Sequence, residues 1–237
     1  MDTIKIMPTA LETLNRQVLA CRQCPRLVAW REKMAREKRK AYQSHEYWGK
    51  PVPGFGDPQA RIFVVGLAPG AHGSNRTGRQ FTGDASGNFF YPALYRAGFA
   101  NQPASVARDD GLVLTDVYTA PVCRCAPPEN KPNADEMTNC QPFLAAELRL
   151  LRPQVIVVLG RIACESVLRI LSVRNSGWKF SHGAVYPLPP SDFSAPTSSL
   201  LCSYHPSQQN TLTGRLTVEM FDAIWHTARE LLEPQAA

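Results

Sequence analysis

VIVVLG, residues 155–160, is an unbroken run of branched and aliphatic side chains closed by a glycine. An apolar run without polar alternation describes a strand buried on both faces, the habit of a parallel sheet covered by helices. The segment that follows, 161–172, carries its apolar residues at helical spacing. Working outward, RIFVVGL (61–67), LVLTDVY (112–118) and SLLCSYH (199–205) read as further strands. Helices are expected between and around them. One spans 10–20, with Leu11, Leu14 and Val18 behind Pro8 and Thr9, and one spans 88–98, capped by Ser86. Another covers 135–151, with Asn133 or Asp135 as its start signal, and a last one lies near 217–232, holding Met220, Phe221, Ile224, Trp225 and Leu231. Strands alternating with helices of this length predict an α/β fold with a mostly parallel sheet, and ligands then belong at the carboxyl ends of the strands.

The chain has 237 residues, 44% hydrophobic and 19% charged, which fits one well-cored domain over 1–237. No apolar stretch of about 18 residues occurs, and the first twenty residues carry Asp2, Glu12 and Arg16, so a cytoplasmic monomer with no membrane partner is expected. A net charge of +6 favours a polyanionic partner. The basic run from Arg26 to Lys40, seven cations against Glu32 and Glu37, reads as a solvated helix face. Residues 186–198, rich in Pro and Ser, read as a loop.

Seven cysteines in a reducing compartment point to a metal site before disulfides. Cys21 and Cys24 form a CxxC, which brings two thiolates to one centre with little strain. Cys125 and Cys140 flank the turn APPENKP and can complete a four-thiolate set for zinc or an iron–sulfur cluster, with Cys123 competing for the third place. Spacing does not choose the metal. Cys164, in an expected helix, and Cys202, in an expected buried strand, read as core.

Two loops leave the strand ends with unusual composition. GLAPGAHGSNRTGRQFTGDASG (66–87) has six glycines among Pro69, Asn75, Arg76, Arg79, Phe81 and Asp84, the makings of a backbone that must approach a flat hydrogen-bonding ligand. YHPSQQNTLTGR (204–215) puts His205 at the end of the last strand, with Asn210 and Arg215 beyond it. Alone, His205 and Phe81 read as structural residues and Asp84 as a loop-capping carboxylate; together they read as a site.

GLAPG, TGRQFTGDASG, VCRCAPPENKP, and HPS followed by Asn210 and TGR together resemble the type 5 iron–sulfur uracil-DNA glycosylases. The resemblance spans about Cys21 to Phe221. It implies a three-layer α/β/α fold with a small central parallel sheet, and a [4Fe–4S] cluster on Cys21, Cys24, Cys125 and Cys140, with Cys123 at a position the family fills otherwise. It implies uracil-containing DNA as partner, hydrolysis of the N-glycosidic bond of a flipped-out base, and an abasic product in base-excision repair. Phe81 matches the residue that stacks on the base, the backbone at Gly66, Leu67 and Ala68 its edge contact, His205 the donor to the base oxygen, and Asp84 the carboxylate that positions water. Asn130 is a further candidate for reading the base. Asn210, Thr213 and Arg215, with Arg76 and Arg79 from the other loop, are expected to contact DNA phosphates or wedge into the gap left by the flipped base. Related branches carry a polar residue in the first motif where this chain has Leu67 and Ala68, and the superfamily's base-reading asparagine at the end of the second strand gives way here to Ala120 or Pro121; from these two departures a substrate range extending to hypoxanthine is expected. The rival reading is a non-catalytic nucleic-acid-binding module with a structural zinc on the four cysteines, which leaves both loops unexplained.

Overall fold

The computed structural model describes residues 9–173 and 178–233, so Pro8, named above as a helix-start signal, lies outside the described residues. In chain order the elements are α1 (Ala10–Ala20), α2 (Pro25–Glu37), β1 (Phe55–Gly56), β2 (Ile62–Gly66), α3 (Ser74–Thr77), α4 (Gly87–Arg96), β3 (Val117–Pro121) and α5 (Ala134–Leu151). They continue with β4 (Val155–Leu159), α6 (Arg161–Ile170), β5 (Val185–Pro187), β6 (Ser199–Ser203), α7 (Gln208–Leu212) and α8 (Val218–Glu230).

The sheet order is β1-β3-β2-β4-β6-β5. The four inner strands are parallel, and the short edge strands run antiparallel to their neighbours. Each inner strand is buried along nearly its whole length, as continuous apolar runs require. Alternate side chains feed two cores. Phe63, Val65, Ile156, Val158 and Leu200 pack with Leu144 and Leu148 of α5 and Val167 of α6. Ile62, Val64, Val155, Val157 and Leu201 pack with Phe90 and Leu94 of α4 and with Phe221 and Trp225 of α8. Helices therefore cover both faces, in the expected three layers.

Three local expectations are corrected. The strand expected over 112–118 begins only at Val117, because Asp116 adopts φ 64 and breaks the extended run. Leu114 makes no more than an isolated bridge to Ala100. Ser86 occupies the N-cap of α4 without a side-chain bond, and Asp84 Oδ1 instead accepts the Gly87 N–H at 3.0 Å. The segment 186–198 is not all loop, since Tyr186 and Pro187 belong to edge strand β5; an edge tolerates proline because it needs no donor on its open side. At the start of α5, Asn133 rather than Asp135 is the cap, forming a reciprocal pair with Glu136.

Beneath the sheet lies a fully buried ion pair. Arg124 Nη1 donates to Glu147 Oε1 at 3.1 Å, Nη2 pairs with Oε2, and the Tyr118 hydroxyl donates to Oε1 at 3.3 Å. Burial pushes the Glu147 carboxyl up, against the opposing pull of Arg124. The pair joins the segment after β3 to the C-terminal half of α5. Arg124→Met strands an uncompensated carboxylate and is expected to cost about 3–5 kcal/mol in urea unfolding. The double variant Arg124→Met/Glu147→Leu should recover much of that loss.

Candidate active site

The carboxyl ends of β2, β4 and β6 meet at one edge of the sheet, and the two long loops rise from it. The first is set against the strand end by backbone. The carbonyls of Gly66 and Leu67 accept N–H bonds from Val122 and Cys123, each at 2.9 Å. At Gly66 a Cβ would stand 2.6 Å from Gln80 Nε2 and 2.9 Å from Phe81 Cζ, so a side chain there would displace both groups. Gln80 and Phe81 occupy the space that the missing side chain leaves.

Phe81 is buried and held in an unusual backbone conformation, φ 53. Its ring stacks on Phe90 at 4.4 Å, and the Tyr91 hydroxyl donates to the neighbouring Gln80 carbonyl at 2.7 Å, which secures the turn. Gln80 Oε1 accepts from the Thr119 hydroxyl of β3 at 2.9 Å. Beside it stands His205, its ring centroid 6.0 Å from that of Phe81 and tilted by 47°. The two loops thus bring an aromatic ring and an imidazole together. Gly160, at φ 98, would bring a Cβ to 3.6 Å from that of His205, so the β4 end closes the same corner.

Burial pushes the His205 imidazole down to about 4, so it is neutral at physiological pH, with one ring N–H to donate. Its carbonyl accepts the Asn210 side-chain amide at 2.8 Å, which folds the following segment back on the histidine. His182 supports the same strand end. Its Nδ1 accepts the Tyr204 N–H at 3.2 Å, which leaves Nε2 to carry the proton and donate to the Met220 carbonyl at 3.2 Å.

Asp84 sits where the first loop doubles back. Gly73 makes room for it, since a Cβ there would lie 1.9 Å from Asp84 Oδ2. Burial pushes its carboxyl up, while the N–H groups of Gly87 and Ser86 and the charge of Arg76 pull the other way. The capping role read from sequence is real, and the bond to Gly87 engages Oδ1.

Several expected DNA contacts are engaged internally. Arg79 is 2% exposed, paired with Asp110 at 2.7 Å and bonded to Ser105 and Thr82. Arg76 is buried too, donating to the carbonyls of His72 and Gly83 and lying over the Tyr42 ring at 4.1 Å. These two arginines hold the loop in shape and are not free to meet phosphates. The Asn210 amide is engaged as described, and the Thr213 hydroxyl donates to the Gln209 carbonyl at 2.7 Å. Arg215 is exposed, its guanidinium over Tyr204 at 4.7 Å. Asn130 is exposed in a short 3-10 turn over Pro128–Asn130 with φ 57. Leu67 and Ala68 are half-buried at the strand end. Sequence reading misses Gln80, His182 and Leu212. Leu212 is 77% exposed at the end of α7, and a leucine amid polar residues just after a strand-end histidine is the available signal.

The four cysteines of the expected set lie at α1, at α2, on α5 and on the segment after β3. Cys21 ends α1, Cys24 begins α2, and Cys24 packs with Leu27 and Cys125 in a small apolar cluster. Cys140 lies on α5. N–H groups are aimed at three sulfurs: Arg31 Nη1 to Cys125 at 2.8 Å, Asn139 Nδ2 to Cys24 at 3.5 Å and the Arg124 N–H to Cys140 at 3.5 Å. Cys123, fully buried, hydrogen-bonds to Cys140 and pulls that thiol below its ordinary range. Among the described residues no three His, Cys, Asp or Glu side chains close to the separation that would hold a metal ion. Cys164 and Cys202 are buried in the sheet-and-helix core, as expected.

The sequence profile of the uracil DNA glycosylase superfamily matches residues 53–229. A type-5 uracil-DNA glycosylase of Thermus thermophilus is 52% identical over 221 residues, covering 93% of this chain and 97% of that protein. One of Mycobacterium leprae is 50% identical, covering 94% and 96%. A type-4 uracil-DNA glycosylase of Pyrobaculum aerophilum is 32% identical over 131 residues, covering 55% of this chain and 59% of that protein. Profile, identity and coverage agree with the strand-end geometry: the chain belongs to the uracil DNA glycosylase superfamily.

Proposed function

We propose that this protein excises uracil from DNA by hydrolysing its N-glycosidic bond, the first step of base-excision repair. The observation that carries the reading is the Phe81–His205 pair, two rings from separate loops 6.0 Å apart over the carboxyl ends of parallel strands. A duplex base is out of reach there, so the nucleotide is extruded at a cost of a few kcal/mol. Phe81 then takes one face of the base. Leu212, exposed beside the histidine loop, suits the gap left in the stack, and Arg215 suits a phosphate next to it.

As the bond from C1′ to the base nitrogen breaks, its electron pair leaves with the base and positive charge builds on the sugar. Neutral His205 donates its N–H to the base oxygen that takes up this negative charge. Asp84, with one oxygen committed to the Gly87 N–H, uses the other to orient water; the water oxygen bonds to C1′ and its proton passes to the carboxylate. Ala120 and Pro121 offer the base edge no side-chain hydrogen bond, which widens the range to deaminated purines such as hypoxanthine.

A [4Fe–4S] cluster suits Cys21, Cys24, Cys125 and Cys140 better than a single ion does, because a cluster is larger and holds its thiolates further apart. The three N–H donors to sulfur are bonds of the kind that cluster-bound thiolates accept. When bound, the cluster supplies a structural cross-link between α1, α2 and α5, since hydrolysis transfers no electrons.

Removal of the donor in His205→Ala should lower the single-turnover rate on uracil-containing duplex by about 10²–10³-fold with little change in binding. Activity should fall with decreasing pH through the raised value of Asp84, and Asp84→Asn should abolish that limb. No second limb is expected near the ordinary histidine range, because His205 protonates only near 4. An oligonucleotide panel with uracil and hypoxanthine tests the range, and absence of hypoxanthine release removes the broader claim. Cys125→Ser should lose visible absorbance, iron and acid-labile sulfide; a colourless, zinc-loaded wild type would refute the cluster.

A further inference from the structure

The basic run on α2 does not form the uniformly solvated face that its composition suggests. Arg31 is 2% exposed, and with Arg22, Glu32, Arg36, Trp48 and Lys50 it lines a groove of about 540 Å³ between the end of α1, α2 and the segment 48–50. The sole carboxylate among these six, Glu32, is paired with Arg22 at 2.6 Å. Arg36 and Lys50 have no carboxylate partner among the described residues, so the groove carries net positive charge. Trp48 stands as one wall, with Lys50 Nζ 5.3 Å and the Arg108 guanidinium 4.4 Å from its ring centroid, and its indole N–H fixed on the Pro51 carbonyl at 2.9 Å.

The groove is also anchored to the loop that shapes the base pocket. The N–H groups of Trp48 and Gly49 donate to the carbonyls of Arg76 and Asn75 on α3, at 2.9 and 3.0 Å. From the other wall, Asn75 Nδ2 donates to the Arg31 carbonyl at 3.2 Å. Arg31 is held by its two terminal nitrogens on Cys125 Sγ and the Cys21 carbonyl, while its Nε has no partner among the described residues. A buried cation underlies a strip of free ones, and an aromatic wall runs beside them.

We propose that this groove seats the DNA backbone flanking the damaged nucleotide, with Arg36 and Lys50 meeting phosphates over the fixed charge of Arg31. The proposal rests on the glycosylase reading for the identity of the polyanion. A strip of cations at the flank of the base-pocket loop answers the charge of a strand whose extruded nucleotide that loop receives, and the counterions released there strengthen binding without reading sequence. It also replaces Arg76 and Arg79 as the backbone contacts on this side of the site, since both are engaged inside the loop.

The test is Arg36→Gln/Lys50→Gln, which leaves Arg31 and the cysteines untouched, measured by fluorescence anisotropy on uracil-containing duplex across a salt series. The slope of log K against log salt should fall in magnitude by about 2, close to one for each phosphate that the variant no longer meets. The single-turnover rate at saturating DNA, the visible absorbance and the unfolding midpoint should match wild type. An unchanged slope in the folded variant overturns the proposal and leaves the glycosylase assignment standing, which uracil release by wild type decides separately. Inorganic phosphate that competes with wild type but not with the variant, while the DNA slope is unchanged, also overturns it in favour of a small phosphorylated ligand.

Discussion

A missing side chain at the end of β2 governs the site. Four parallel strands deliver their chain ends to one edge of the sheet, where any Cβ competes with the groups that must gather there. Gly66 yields that room to Gln80 and Phe81, and Gly73 yields it to Asp84 Oδ2. Close approach of backbone to side chain thus sets the Phe81 ring against the strand end and the Asp84 carboxylate against the turn at Gly73. The buried arginines serve the same end: Arg79 ties the loop to Asp110 and Ser105, and Arg76 ties it to its own carbonyls.

The layers are legible in the sequence because the signals that specify them are local. VIVVL and IFVVG carry their burial in their composition, and the helices after β4 and β6 carry theirs in spacing. Thr9 and Asn133 even show as reciprocal caps, each with a glutamate three residues on. The edge strands are invisible, since two or three residues hold no period. The late start of β3 turns on Asp116, whose left-handed backbone is fixed by tertiary contact: its carboxylate accepts the Arg61 N–H.

Within the site, the two motifs are a better guide than charge. Phe81 and His205 read alone as structural residues, and the resemblance of their two loops to one family is what marks them together. The orientation of the arginines is not marked, because nothing in TGRQF says whether a guanidinium turns outward or in. Burial decides, and it is settled by partners as remote in sequence as Asp110. The basic run of α2 misleads in the opposite direction. Its composition suggests an indifferent solvated face, yet the sulfur of Cys125 and the carbonyl of Cys21 draw Arg31 inside.

The left-handed backbone of Phe81 bears on selectivity. A non-glycine residue in that region carries strain of about 1–3 kcal/mol, which persists only where its surroundings overdetermine it, here the Phe90 stack and the clamp of Tyr91 on the adjoining carbonyl. If the ring stacks on a base as proposed, it is a fixed plate that gauges thickness and is indifferent to outline, a gauge that any planar heterocycle would satisfy. Telling one ring from two would then fall to groups other than the ring, and Ala120 and Pro121, buried at the end of β3, carry neither a donor nor an acceptor side chain.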